Sequence, residues 1–231
     1  MIAAACAATG RTAQDVTVVA VTKTVPVDRI LAAQAAGIHD FGENYAKDLA
    51  TKAAAVPGRW HFVGKLQRGT AARVADWAEV IHSAEPGGAI ARVAGRAAGS
   101  GRTIDCLLQV DFTGKRQGAA PDVDALRTLL REMAGTNGVR PVGLMTVPPI
   151  TPDPEGARPY FARLRRLRDE LREEWPRLIE LSMGMSADYP VAVEEGATMV
   201  RLGTALFGER PRPVAGGTSS IRGRTAGRPE A

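Results

Sequence analysis

Short apolar segments alternate with amphipathic ones along most of the chain. The apolar segments are continuously hydrophobic, which is typical of parallel strands covered on both faces. The segments between them often open with Pro or Asp, as helices commonly do. Eight strand–helix units in about 190 residues predict an α/β fold, a single (β/α)8 TIM barrel, in preference to a doubly wound sheet. The predicted strands are residues 17–23, 38–41, 60–63, 79–82, 103–110, 139–145, 178–182 and 199–202.

The charge distribution divides the 231 residues into a barrel and a tail. The formal net charge is +5, and residues 209–231 alone contribute +3. We therefore expect a barrel over residues 1–210 and a disordered Gly/Pro/Arg-rich tail over residues 211–231. Arginines in the predicted helix 159–175 are interleaved with acidic residues, which indicates a solvated, ion-paired face. Nucleic-acid binding is thus disfavoured; it would show as salt-dependent binding that disappears with the tail.

Cysteine spacing and hydropathy indicate neither a metal site nor a membrane segment. Cys6 and Cys106 lie far apart, and Cys106 falls within an apolar strand, where a cysteine is usually a small core residue. No run approaches the ~18 apolar residues of a membrane span. We expect a cytoplasmic protein in a reducing compartment, without membrane or nucleic-acid partners.

Residues 181–208 predict a phosphate site. The two strands predicted there lead into small residues, Ser182 to Ser186 after the first and Gly203 with Thr204 after the second. In a barrel these are strands seven and eight, whose carboxyl ends commonly bind phosphate. Backbone N–H groups, hydroxyls and glycines at that edge suit a phosphate, although small residues that serve packing alone are the alternative.

Lys23 is the candidate nucleophile. It ends the first predicted strand at the same edge of the barrel, and an apolar strand end disfavours the charged amine, so we expect a lowered pKa. A reactive lysine beside a phosphate site suggests a Schiff base with pyridoxal 5′-phosphate (PLP). A lysine that simply extends into solvent is the alternative.

Three further polar residues fall on or near strands of the predicted barrel. Asn44 follows strand two and could donate a hydrogen bond to a phenolic oxygen on the cofactor ring. His61 and His82 lie in strands three and four, where each is either a ligand contact or a hydrogen-bonded core residue. No zinc, P-loop or dinucleotide motif occurs.

Six segments together resemble the pyridoxal phosphate homeostasis protein family, a single-domain relative of the alanine racemase barrel. They follow in the family's order and spacing from about residue 2 to residue 210. The segments are 19–24 (VAVTKT), 41–45 (FGENY), 60–67 (WHFVGKLQ), 143–145 (GLM), 181–186 (LSMGMS) and 199–208 (MVRLGTALFG).

The resemblance implies a barrel of the alanine racemase N-terminal domain type that binds PLP as a Schiff base on Lys23. It implies that Arg201 faces the pyridine nitrogen. The phosphate would be held by Ser182, Ser186, Gly203 and Thr204, and the remaining cofactor contacts would be Asn44, His61 and Met183.

This chain departs from the family pattern at positions away from Lys23. Residues 68–70 (RGT) replace an Asn-Lys pair, residues 116–118 (RQG) replace a Lys-x-Gly loop, and the N-terminal helix is short. These departures concern peripheral ligand contacts rather than cofactor binding.

Arg201 bears on whether such a protein is an enzyme. PLP acts as an electron sink when an acidic residue keeps its ring nitrogen protonated, and an arginine cannot do that. Racemisation would need a second base, which in the racemases is a tyrosine from an additional domain. We therefore expect a monomeric protein that holds PLP for intracellular homeostasis and passes it to apo PLP-dependent enzymes. The alternatives are a racemase-like enzyme and a barrel that binds another phosphorylated metabolite non-covalently.

Overall fold

Eight parallel strands close into a barrel in the computed structural model, which describes residues 1–115 and 118–209. Each strand pairs with the next, and the eighth pairs with the first. The (β/α)8 barrel predicted from the alternation is confirmed. The strands are β1 (Thr17–Val21), β2 (Asp40–Glu43), β3 (Arg59–Phe62), β4 (Val80–Ala84), β5 (Ile104–Gln109), β6 (Val139–Met145), β7 (Glu180–Met185) and β8 (Met199–Leu202).

Helices connect the strands and cover the outside of the barrel. Two short 3-10 helices, Ala13–Asp15 and Pro154–Ala157, supplement them. The predicted tail, residues 211–231, lies outside the described residues. The α-helices are α1 (Ile2–Ala7), α2 (Val27–Ala35), α3 (Ala46–Ala55), α4 (Ala71–Trp77), α5 (Gly88–Gly99), α6 (Val123–Ala134), α7 (Arg158–Leu171), α8 (Tyr189–Glu194) and α9 (Thr204–Phe207).

Strand ends differ from the predicted ones where the strands carry polar or small residues. β6 and β8 have the predicted bounds, but β1 ends at Val21, so Lys23 lies in the turn that follows it. β7 continues to Met185, and Ser182 is therefore an interior residue of a strand rather than part of the rim. Gly184 permits this extension because its φ is +91° and a Cβ there would lie 2.5 Å from Ala192 Cβ.

Most of the core lies between the strands and the surrounding helices. Alternate strand residues such as Phe41, Trp60 and Met183 belong to this layer. A separate, much smaller apolar cluster of Val80, Leu107 and Met145 lies within the barrel. Polar side chains occupy much of the remaining interior, which is the feature that shapes the site.

The basic helix α7 is neutralised by nearby carboxylates. Within the predicted helix, Arg165 donates to Glu195 at 3.2 Å and Arg168 donates to Asp169 at 2.6 Å. These two ion pairs agree with the predicted solvated face rather than with a phosphate-backbone surface. No helix among the described residues is long and apolar enough to cross a membrane.

Candidate functional site

Lys23 is held in a strained turn at the carboxyl end of β1. The backbone N–H of Val25 donates to the Thr22 carbonyl at 2.8 Å and closes the turn. Thr24 takes a φ of +65°, a left-handed conformation that is costly for a β-branched residue. Such backbone strain persists only where surrounding contacts enforce it, and it is concentrated at functional sites.

Lys23 and two of the four predicted phosphate residues, Gly203 and Thr204, line one cavity. This cavity has a volume of about 290 Å³, and Lys23, Thr24, Arg29, Gly203 and Thr204 are among its lining residues. The volume is close to the lower end of the ~300–1,000 Å³ typical of small-molecule sites. The ends of β1 and β8 meet here because the two strands are paired, with Ala20 opposite Leu202. Lys23 and the backbone turn at Gly203 and Thr204 therefore border the same space.

The loop after β7 meets the loop after β8 at Ser186. The Ser186 hydroxyl accepts hydrogen bonds from the backbone N–H groups of Gly203, at 3.3 Å, and Ala205, at 3.1 Å. Two N–H groups that converge on one oxygen provide the geometry that an anion requires. A phosphate oxygen beside Ser186 would find the same donors.

Asn44 carries a buried polar atom that lacks a partner. Its side-chain Oδ1 is inaccessible to solvent and accepts no hydrogen bond among the described residues. Asn44 and Lys23 each lie two residues beyond the paired positions Gly42 and Val21, so they are on the same rim. The absence of a side chain at Gly64 lets the Asn44 backbone lie close by, because a Cβ there would be 2.0 Å from the Asn44 carbonyl oxygen. An unsatisfied amide oxygen on this rim is suited to a ligand that brings a hydrogen-bond donor.

A buried carboxylate fixes the two strand ends that present Lys23 and Asn44. Glu43, which is fully buried, accepts from the Thr22 hydroxyl at 2.8 Å and from the Asn44 backbone N–H at 3.0 Å. Lys52 of α3 lies 2.5 Å from the same carboxylate and also donates to the Thr22 carbonyl. We call Glu43, Lys52 and Thr22 the Glu43 clamp.

Arg201 points into the barrel interior from β8 and is almost fully buried. It donates to the Ser182 hydroxyl, and to the Thr146 carbonyl at 2.9 Å. Burial lowers the pKa of the Arg201 guanidinium to about 10, and the charge of Asp188 opposes this shift. The group therefore stays cationic at neutral pH.

His61, His82 and Ser182 lie inside the barrel, beneath the rim. His61 Nδ1 is 2.8 Å from His82 Nε2, and His82 Nδ1 is 2.8 Å from the Ser182 hydroxyl. His61 Nε2 contacts Asp40 Oδ1 at 2.9 Å. None of these three side chains lines the cavity that Lys23 borders, and neither do Arg201, Asn44 or Ser186.

Met183 faces the other side of β7. Its side chain is fully buried in the core between strands and helices. The alternation of side chains along a strand puts it on the opposite face of β7 from Ser182.

The described residues contain no group of three or more His, Cys, Asp or Glu residues that could hold a metal ion.

The sequence pattern does not identify the residues that support the site, which are Asp40, Glu43 and Lys52. Asp40 falls within the predicted strand 38–41, and Glu43 lies two residues beyond its end. A charged residue within a buried strand is a signal in itself, because burial of a charge requires a partner.

The chain is similar to proteins of known family over nearly its whole described length. Residues 2–211 match the family model "Alanine racemase, N-terminal domain". A pyridoxal phosphate homeostasis protein of Aquifex aeolicus is 37% identical over 210 residues, with 89% of this chain and 92% of that protein covered. One of Pseudomonas aeruginosa is 36% identical over 212 residues, covering 89% and 90%.

Solved structures are also similar to this chain. PipY of Synechococcus elongatus, determined with PLP bound, has a TM-score of 0.78 and 35% identity, covering 90% of this chain and all of that one. D-threonine aldolase from Filomicrobium marinum has a TM-score of 0.71 at 18% identity, covering 89% and 58%, and shares the fold alone.

Proposed function

This chain belongs to the pyridoxal phosphate homeostasis protein family, whose barrel is that of the alanine racemase N-terminal domain, and on that basis we propose that it binds PLP as a Schiff base on Lys23. One observation carries the proposal: Lys23, Gly203 and Thr204 line the same cavity. A small molecule with an aldehyde at one end and a phosphate at the other can engage all three. PipY, a 35% identical relative, was determined with PLP bound.

The residues present fit this cofactor. We assign the phosphate to Ser186, Gly203 and Thr204, where two backbone N–H groups already converge on the Ser186 hydroxyl. The unpartnered Oδ1 of Asn44 would accept a hydrogen bond from the bound cofactor, and Arg201 would face the ring nitrogen.

Three side chains that the resemblance implies as cofactor contacts receive a different assignment. Ser182 and His61 would act from beneath the site through Arg201, because their polar atoms already have partners inside the barrel. Met183 would contribute packing.

PLP supplies an aldehyde and an electron-withdrawing ring. The Lys23 amine would condense with that aldehyde, so that a C=N bond forms and one water is released. Arg201 stays charged and is not an acid at neutral pH, so it would donate a hydrogen bond to the ring nitrogen without protonating it. An unprotonated ring nitrogen would stabilise a carbanion poorly. This favours a role in holding PLP for homeostasis over a role in catalysis.

A racemase-like enzyme is the alternative, and it would need a second base at the cavity. The three tyrosines of the chain do not favour it. Tyr45 is 63% exposed, the Tyr160 ring packs against Phe112 with the ring centroids 6.1 Å apart, and the Tyr189 hydroxyl contacts Met1 Sδ at 3.3 Å. Chiral chromatography of amino acids incubated with PLP-loaded protein separates the two functions: turnover well above that of free PLP would support the enzyme.

We further propose that the protein acts in the cytoplasm as a monomer and passes PLP to apo PLP-dependent enzymes. Size-exclusion chromatography with light scattering is expected to give the mass of a single chain. Mixing the loaded protein with an apoenzyme is expected to restore that enzyme's activity faster than the same concentration of free PLP. Restoration no faster than with free PLP would contradict direct transfer.

Borohydride reduction tests the central assignment. Reduction of the PLP-loaded protein, followed by peptide mass spectrometry, is expected to place the modification on Lys23. Lys23→Ala is expected to abolish it, whereas Lys47→Ala, at an exposed position of α3, is the matched control and keeps it. Cofactor that co-purifies but leaves no modified lysine would instead support non-covalent binding.

A further inference from the structure

Five polar side chains form one continuous hydrogen-bonded chain through the barrel interior, which we call the axial relay: Asp40, His61, His82, Ser182 and Arg201. The bond between His82 and Ser182 joins β4 to β7, which are not neighbours in the barrel, so it spans the interior. The Asp40 side chain is 24% exposed, and the other four residues are at most 6% exposed. The relay thus connects solvent near the start of β2 with the guanidinium in β8.

The chemistry of its two ends fixes the direction of every hydrogen bond in the relay. An arginine can only donate and an ionised carboxylate can only accept. His61 therefore donates through Nε2–H to Asp40, and the Nδ1 of the neutral His61 ring accepts from His82 Nε2–H. His82 Nδ1 then accepts the O–H of Ser182, whose oxygen also accepts from Arg201. A single arrangement of protons satisfies all four bonds, with both imidazoles neutral and protonated on Nε2.

Both histidines are in a setting that keeps them neutral. Burial lowers the pKa of His61, against the opposing effect of the hydrogen bond that His61 donates to Asp40. Burial also places the pKa of His82 well below its ordinary value, and positive charge on His61 or Arg201 would act in the same direction. Arg59 and Glu79 are the other charged groups that act on His61, with opposite signs.

We propose that the axial relay positions Arg201 toward the bound ligand. In this proposal, Asp40 is the residue that sets the direction of the hydrogen bonds in the relay. This inference rests on the proposed function, in which Arg201 faces the ring nitrogen of PLP. Arg201 keeps its proton, so the relay transmits orientation and polarisation rather than protons. Asp40, His61, His82 and Ser182 are positioning residues, since they act on the ligand through Arg201.

The substitution Asp40→Asn removes the acceptor-only group that fixes the direction of the hydrogen bonds. An amide can donate as well as accept, so it permits His61 to be protonated on Nδ1, which in turn forces His82 onto its Nδ1–H form. Ser182 would then face two donors, Arg201 and His82, and its own O–H would lose its acceptor. Arg201 would be held less firmly.

The first experiment needs no cofactor. Nitrogen-15 NMR of the histidine side chains in the unloaded protein is expected to show both His61 and His82 as Nε2–H tautomers. Asp40→Asn is expected to add the Nδ1–H form. Asp105→Asn is the matched control, because Asp105 shares Arg59 with Asp40 but lies outside the relay; it is expected to leave both tautomers unchanged. A wild-type His82 protonated on Nδ1, or an Asp40→Asn spectrum identical to wild type, would overturn the proposal.

The second experiment measures the effect on the ligand. Asp40→Asn is expected to shift the absorption maximum of bound PLP and to weaken PLP binding at least threefold, whereas Asp105→Asn changes neither. His61→Gln provides a rescue, because one amide can accept from His82 and donate to Asp40, and it is expected to stay close to wild type while His61→Leu follows Asp40→Asn. Equal spectra for His61→Gln and His61→Leu would refute the relay even if Asp40→Asn fails to fold.

The two proposals fail in different ways. If borohydride reduction leaves Lys23 unmodified, the proposed function fails while the tautomer result stands by itself. If Lys23 is modified but Asp40→Asn and His61→Leu leave the spectrum of bound PLP unaltered, the relay has no effect on the ligand and this inference alone is wrong.

Discussion

Asn44 is one of the residues at which the described fold leaves a buried polar atom unsatisfied, as it also does at Glu85 Oε1 after β4. A buried Oδ1 without a partner costs free energy that the unliganded protein does not recover. Asn44→Ala removes this cost, so the free energy of unfolding without ligand is expected to change by less than ~1 kcal/mol. Its PLP dissociation constant is expected to rise about 5–20-fold, equivalent to ~1–2 kcal/mol.

Urea unfolding without ligand and a PLP titration, performed on the same preparations, measure both quantities. Asn44→Ala with unchanged PLP affinity would show that the amide does not contact the ligand. A large loss of stability in the unliganded variant would show that Asn44 is a structural residue instead.

Single residues differ in how well the sequence locates them. Lys23 and Thr204 could be assigned to one rim, because they follow apolar runs and parallel strands end at the same edge. Ser182 could not, because the small residues after it look like a turn, while Gly184 in fact lets β7 continue past it. Whether a residue lies at the rim or within the barrel depends on where its strand ends. Because β7 ends three residues later than predicted, Ser182 lies in the interior rather than at the rim.

At the level of elements, the Glu43 clamp joins β1, β2 and α3 through one carboxylate. Glu43→Gln leaves Lys52 buried without a counter-charge, so the free energy of unfolding is expected to fall by ~3–5 kcal/mol. The double variant Glu43→Gln with Lys52→Met removes the uncompensated charge and is expected to lie within ~2 kcal/mol of wild type.

Chemical denaturation of the two variants beside wild type gives the comparison directly. If the single and double variants are equally destabilised, the buried charge on Lys52 is not the cause. Equal stability of Glu43→Gln and wild type would show that the ion pair contributes little to joining these elements.

The bounds of a strand were predicted correctly where its residues form a continuous apolar run. β6 and β8 have the bounds that their continuous apolar runs predict. β2 (Asp40–Glu43) begins two residues later than predicted, and its sequence DFGE carries a carboxylate at each end, which an apolar run does not predict. Periodicity cannot show that those carboxylates are buried or partnered, since the partners come from other strands and from α3.

At the scale of the whole molecule, barrel closure followed from counting strand–helix units, but the polar interior did not. His61 and His82 are separated by 21 residues and Ser182 by another 100, and only closure of the barrel brings β4 opposite β7. The axial relay is therefore a property of the closed fold rather than of any motif in the sequence.

The buried histidines make stability depend on pH. Burial lowers the pKa of His61 and of His82 below the ordinary value of 6.5, so the unfolded chain binds protons that the folded protein excludes. The full contribution is present above pH 6.5 and is lost as pH falls from there toward the lowered values. The expected slope is up to ~1.4 kcal/mol per pH unit for each histidine.

Urea unfolding between about pH 7.5 and 5, above the range in which most carboxylates titrate, measures this slope. His61→Gln is expected to reduce it, and His39→Gln, at an exposed position, is the control that leaves it unchanged. A stability that is flat over this range, or that rises as pH falls, would mean that the two imidazoles are not held neutral.

The absorption spectrum of the protein titrated with PLP tests the central claim most directly. Wild type and Lys47→Ala are expected to give a visible band displaced from that of free PLP, saturating at one cofactor per chain. Lys23→Ala is expected to give only the spectrum of free PLP. A displaced band of the same position and intensity in Lys23→Ala, or none in wild type, would contradict a Schiff base on Lys23.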